Sequence, residues 1–195
     1  MVLLLGISGG VTFLATRGRP PASKPLPEAH RRGLELRDGK WHVPGQANGF
    51  TGLLLDTYDD GTVKSRSAVS NGVLNGLSEG WHTNGQQQVE EYFVAGISQG
   101  LRTKWHSNGQ KLSEVNIMAG KLEGTFRSWH ENGEPAEEVW LKDGLPTGRS
   151  KACCPSGFLK SQVTLRNGLV VTQKFWSDGE YKEPLLSDAG LSSGN

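Results

Sequence analysis

Three columns of glycine, each repeating every 24 residues, constrain this chain more than any other feature. The first runs Gly52, Gly76, Gly100, Gly124, Gly148; the second Gly61, Gly85, Gly109, Gly133, Gly157; the third Gly72, Gly96, Gly120, Gly144, Gly168. A period held over five copies without a gap is the mark of a repeat architecture, in which each unit buries its apolar side against its neighbours. Between the glycines no apolar pattern at helical spacing survives, so each unit reads as strand, tight turn, strand, looser turn. A partial sixth copy, "FWSDG", ends at Gly179, and a lead-in, "RDGKWHVPGQANGFTG", precedes the first full unit. The expected fold is therefore all-β: an elongated, single-layer, twisted antiparallel meander of about eleven to thirteen strands built from repeated hairpins.

The second glycine column closes the words "WHTNG" (Trp81–Gly85), "WHSNG" (Trp105–Gly109) and "WHENG" (Trp129–Gly133). Two loops fit them. A two-residue loop, Asn84-Gly85, pairs Trp81 with Gln88 and puts the tryptophans on the face of Glu90, Glu114 and Glu138. A three-residue loop, Thr83-Asn84-Gly85 with the glycine left-handed, pairs His82 with Gln86 and Trp81 with Gln87. The tryptophans then share a face with Val115, Val139 and Val163, and with Phe93, Ile117, Leu141 and Leu165. Register follows the buried face, which selects the three-residue loop. Pro155 in the fifth copy agrees, since proline suits the first central position of a type I turn. In this register Arg102 lies opposite Glu114. A single layer would leave its apolar face open, which makes Trp81, Trp105, Trp129, Phe93, Ile117 and Leu141 the candidate partner-binding residues.

Recognised chemistry is not found. The chain has no G-x-S-x-G, no Walker A sequence and no H-E-x-x-H, and "GISGG" (Gly6–Gly10) sits in an apolar leader rather than after a strand. Equivalent strands of successive units stand about 9.5 Å apart. Two nitrogens on one zinc must lie within about 3.5 Å of each other. Neighbours among His82, His106 and His130 therefore cannot share a metal, and the histidines are expected to cover the turns. The Glu90, Glu114, Glu138 ladder is likewise too widely spaced for a retaining glycosidase pair, which needs about 5 Å. No catalytic, metal or cofactor site is expected, and the chain is read as non-enzymatic. With 21 basic and 20 acidic residues there is no field to attract nucleic acid. Cys153 and Cys154 are adjacent, which makes no disulfide framework; in a strand they point to opposite faces, with Cys153 replacing the tryptophan.

Residues 2–15 are uncharged and apolar or small. As a helix they span about 21 Å, short of a bilayer core of about 30 Å but fitting a signal-peptide apolar region. No basic region precedes them, no A-x-A site follows, and Arg17, Arg19, Lys24, Arg31 and Arg32 lie after them. Export or membrane anchoring through this segment is expected over a cytoplasmic location. The expected organisation is an apolar segment at 1–18, a proline-rich linker at 19–33, the repeat domain at 34–183 and a disordered tail at 184–195.

The unit G-x4-W-H-x-N-G-x10-G-x3-G resembles the MORN-repeat variant. In closer detail, with its lead-in "LELRDGKWHVPGQANGFTG", it resembles the bacterial YwqK-type antitoxin family over roughly Leu34 to Lys182. The chain departs from that pattern in having histidine where the family has tyrosine, and in Cys153. The resemblance implies a hairpin scaffold that binds a protein partner, such as a toxin; the open apolar face could equally be covered by a second copy of the chain. The alternative reading is an envelope-associated structural repeat protein tethered by its N-terminus.

Overall fold

The computed structural model describes residues 25–166 and 168–182. The apolar segment 1–18, the first part of the expected linker and the tail at 184–195 lie outside the described residues. The strands are β1 (Glu28–His30), β2 (Glu35–Arg37), β3 (Lys40–His42), β4 (Gly52–Thr57), β5 (Val63–Ser70), β6 (Val73–Trp81), β7 (Gln87–Val94) and β8 (Ile97–Ser98). They continue as β9 (Gly100–Trp105), β10 (Lys111–Met118), β11 (Lys121–Trp129), β12 (Pro135–Lys142), β13 (Leu145–Cys153), β14 (Leu159–Arg166) and β15 (Leu169–Phe175). From β4 to β15 each pairs with the next in one open, all-β antiparallel meander; β8 is a two-residue prelude to β9 that pairs with β7. β2 and β3 form a separate hairpin. The expected linker stops short of Glu28, because Glu28–His30 pairs in parallel with Leu53–Leu55 and edges the sheet.

The glycine columns have three different jobs. At the hairpin tips, His82 N–H donates to Gln86 O at 2.8 Å, Gly85 N–H to His82 O at 2.9 Å, and Gly85 sits at φ 81°. This is the three-residue loop with a left-handed glycine, and it recurs at Gly109, Gly133 and Gly157. The connections between units are tighter than expected. Ala95-Gly96, Ala119-Gly120 and Asp143-Gly144 are two-residue turns with positive φ at both positions (49° and 83° at Ala95 and Gly96). That is type I′, whose twist matches the flanking strands. Each turn also ties to the unit before it: Gly96 N–H donates to Leu74 O at 2.7 Å, Gly120 to Ser98 O at 3.0 Å and Gly144 to Leu122 O at 2.9 Å. The remaining column, with Gly100 at φ 86° and Gly124 at φ 76°, lies at irregularities inside the sheet.

One irregularity has no signature in the sequence, and it changes which side chains share a face. Beyond each tip the register slips by one residue: Trp81 faces Gln87, but Gly80 faces Val89. The same slip separates Lys111 from Ser113, Pro135 from Glu137 and Leu159 from Ser161. It is a β-bulge, with Gln88, Leu112, Ala136 and Lys160 as the extra residues. A one-residue slip moves everything beyond it to the other face. Val115 therefore faces Arg102, not Leu101, and Glu114 faces Thr103, not Arg102. The expected Arg102–Glu114 pair does not form; Arg102 reaches Glu91 at 3.7 Å instead.

The two faces differ sharply. On one, Val115 and Ile117 (each 2% exposed) and Leu141 pack with Leu122, Phe126 and Val139. A second cluster on this apolar face, Phe50, Leu54 and Val69, is covered by Leu34, Trp41 and Val43 of the lead-in. The first unit thus has a partial second layer that the expected bare sheet lacked. The opposite face carries Glu90, Glu114 and Glu138.

Candidate functional site

The words "WHxNG" turn out to be the joints between units. His82 Nε2 lies 2.9 Å from Trp105 O, His106 Nε2 2.8 Å from Trp129 O, and His130 Nε2 2.9 Å from Cys153 O. A carbonyl only accepts, so Nε2 carries the proton and each imidazole is a donor there. Asn84, Asn108 and Asn132 make a second rung, donating from Nδ2 to Ser107 O, Glu131 O and Pro155 O at 2.6, 2.8 and 2.7 Å. In the first unit Tyr58 stands in the histidine column, and its hydroxyl donates to Trp81 O at 2.7 Å. At that tip Asp60 accepts from the Thr62 hydroxyl and amide, which hold its carboxyl below the ordinary value. Among the described residues no three potential metal ligands gather.

Tyr58 gives the histidine column a direct test. His106→Ala removes one donor and leaves Trp129 O short of a partner, at a cost of about 1 kcal/mol. His106→Tyr keeps a donor of the kind Tyr58 supplies and is expected to cost much less. Urea midpoints of the two variants, read against wild type, distinguish them; equal losses would mean that the hydrogen bond is irrelevant.

Trp81, Trp105 and Trp129 are half-buried and lie on the glutamate face, not with the aliphatic columns. Alternation along β9 puts Trp105 with Thr103, and Thr103 faces both Glu90 and Glu114. On β11 Trp129 is in step with Arg127, which reaches Glu114 at 3.8 Å and Glu138 at 3.2 Å. Lys111 binds Glu114 at 2.7 Å and sits 5.2 Å from the Trp129 ring centroid. These partly exposed pairs contribute under about 1 kcal/mol each, but they hold the Lys111 ammonium over the Trp129 ring.

The expected six-residue patch is thus divided between two faces. Phe93, Ile117 and Leu141 belong to the apolar face, where Ile117 and Leu141 are buried in the core and Phe93 is half-buried. Exposed apolar side chains lie elsewhere, among them Leu77 (43% exposed), Tyr92 (50%), Leu101 (58%) and Trp140 (53%). Leu77 stands directly opposite Tyr92, Leu101 lies two residues before Thr103, and Trp140 two residues after Glu138. All four are on the glutamate face. Trp140 and Glu138 line a shallow concavity with Arg149 and Lys151. The sequence carried one signal of this surface: Tyr92 and Trp140 hold the same place in alternate units, one residue before the aliphatic column.

Comparison with known proteins adds little to this geometry. No protein-family model matches the chain, and no curated protein matches it. Among solved structures, a crystal structure of an S. aureus TarM mutant in complex with Fondaparinux, alpha-GlcNAc-glycerol and UDP aligns with 49% of this chain and 19% of its own, at 11% identity and a TM-score of 0.32. This chain therefore spans about a fifth of that protein's length, and so loose a superposition carries no argument about activity.

Proposed function

We propose that this chain is a non-enzymatic repeat scaffold of the MORN-variant kind, which docks a protein partner on its glutamate face. The observation that supports this is the row Leu77, Tyr92, Leu101 and Trp140. These are large apolar side chains, about half exposed, set among paired charges on a continuous sheet. Aromatic anchors ringed by polar groups are the side chains that most often dominate protein–protein affinity. The hydrogen-bonded joints between units keep that row on a rigid support, so binding does not have to order it. A toxin is the partner class that the YwqK-type resemblance implies.

The test is capture by full-length protein from its native host, with wild type and Tyr92→Ser/Leu101→Ser in parallel. A specific partner is expected to bind wild type and to lose at least tenfold in affinity for the double variant, with the β-type circular dichroism unchanged. Co-expression of that partner then tests the toxin class, since growth arrest relieved by the scaffold is the expected result. A partner that binds both proteins equally would sink the glutamate face as the docking surface.

A further inference from the structure

We propose that a second copy of this chain pairs with the free edge of β15, so that two sheets join across a twofold axis at Thr172. This is independent of the partner face just described. In units two to four, the strand that opens the unit is followed by the strand that completes its hairpin: β6 by β7, β9 by β10, β11 by β12; β13 and β14 repeat the pattern. β15 is the next opening strand in this series, and among the described residues no strand follows it in the sheet. Its inner edge is taken by β14. Its outer edge offers a row of backbone donors and acceptors like the one that β13 presents to β14.

The side chains of β15 are unlike those of a protected edge. All seven residues of Leu169–Phe175, "LVVTQKF", are exposed, with Leu169 at 74% and Phe175 at 67%. The strand is rich in β-branched residues, has no proline and has one charge, Lys174. Natural edges are kept apart by shortness, proline, bulges or inward-pointing charge, and β15 has little of this beyond a one-residue bulge at Val171. The other end of the sheet does: β1 has three residues and carries Glu28 and His30. A head-to-tail chain of copies through β1 would have a much shorter seam than β15 against itself. The closed twofold pair is therefore the favoured assembly.

The strand is also self-complementary. Laid antiparallel on its own copy with Thr172 facing Thr172, it sets Leu169 against Phe175, Val170 against Lys174 and Val171 against Gln173. Aromatic–aliphatic and Thr–Thr pairs are among the favourable cross-strand combinations, and no like charges meet. The lone lysine faces a valine, over which its aliphatic stem can lie. The seam would add about six backbone hydrogen bonds, in symmetry-related pairs.

The experiment is sedimentation equilibrium on the full chain across a concentration series. Wild type is expected to move from one to two times 21.1 kDa as concentration rises. Thr172→Lys puts two ammonium groups face to face on the axis, and Thr172→Glu two carboxylates. Each is expected to weaken the dimer at least tenfold while keeping wild-type circular dichroism. An equimolar mixture of the two variants makes the axial pair oppositely charged and is expected to restore the dimer. Three results would overturn the proposal: wild type monomeric throughout, dimers undiminished in both variants, or dimers lost in both and not regained on mixing. The first of these covers the case in which another part of the same chain occupies the edge.

Discussion

Gly72→Ala is expected to destabilise the protein by several times as much as Gly61→Ala. The two glycines have nearly the same backbone conformation, φ 83° and 86°, so the strain of a Cβ there is common to both. That strain costs about 1 kcal/mol. Around Gly61 nothing lies within 4 Å of the new methyl group, whereas at Gly72 it would stand 2.7 Å from Lys40 Cβ and 2.8 Å from Trp41 O. The main chain at Gly72 is where the lead-in joins the first unit. Trp41 N–H donates to Gly72 O, and Gly72 N–H to Phe50 O, each at 2.8 Å. A methyl group forces these strands apart and lifts Trp41 and Phe50 from the cluster around Leu54 and Val69. Overpacking of this kind adds about 1–3 kcal/mol, and loosened hydrogen bonds add to it. Urea midpoints of Gly72→Ala and Gly61→Ala give the comparison, and hydrogen exchange at the amides of Trp41 and Gly72 locates the damage. Equal midpoints would mean that the lead-in is not docked as described.

How far the sequence speaks follows from which features are periodic. The glycine columns reveal the unit, the hairpin tips and the strand order, because left-handed turns need glycine at a fixed place in each copy. The bulge leaves no such trace. Its extra residues, Gln88, Leu112, Ala136 and Lys160, have nothing chemical in common, since a residue bulging from a β-ladder needs no special side chain. The three-residue loop is therefore present as expected, whereas the tryptophans do not share the valines' face, because the register changes one residue past Trp81. The histidine ladder is similar. That these residues cover the turns is legible from spacing; that each donates to the next unit's main chain depends on how one hairpin tip overlies the next. Tyr58 was the available clue, being an aromatic donor 24 residues before His82. The lead-in's role as cover for the first unit was hidden because a single copy has no period to read.

A matched pair of aspartates separates the two faces and bears on the docking surface. Ile117→Asp is expected to abolish the cooperative fold of the central units, while Leu101→Asp leaves it intact. The two sites are close, for Leu101 faces Asn116, the residue next to Ile117, across one strand pair. Alternation nevertheless sends their side chains to opposite sides of the sheet. Ile117 is 2% exposed and packs with Val115 and Leu141, so a carboxylate there loses its water, and Arg102, which stands opposite Val115 on that face, is already paired with Glu91. Removing the isoleucine alone costs about 2–5 kcal/mol, and burying an unpaired charge costs more again. Together these rival the whole stability of an ordinary domain, about 5–15 kcal/mol. Because each unit rests on its neighbours, loss of this cluster should also propagate to Leu122, Phe126 and Val139. At Leu101 the side chain is 58% exposed and a carboxylate keeps its water, so the expected change in stability is under about 1 kcal/mol. Binding behaves in the opposite sense. If the glutamate face docks a partner, Leu101→Asp places an uncompensated charge in the row with Leu77 and Tyr92 and is expected to cut affinity at least tenfold. Thermal melts by circular dichroism read the first contrast and titration calorimetry with the captured partner reads the second. A folded Ile117→Asp would refute the burial of the aliphatic face. A folded Leu101→Asp that binds like wild type would move the docking surface off the glutamate face.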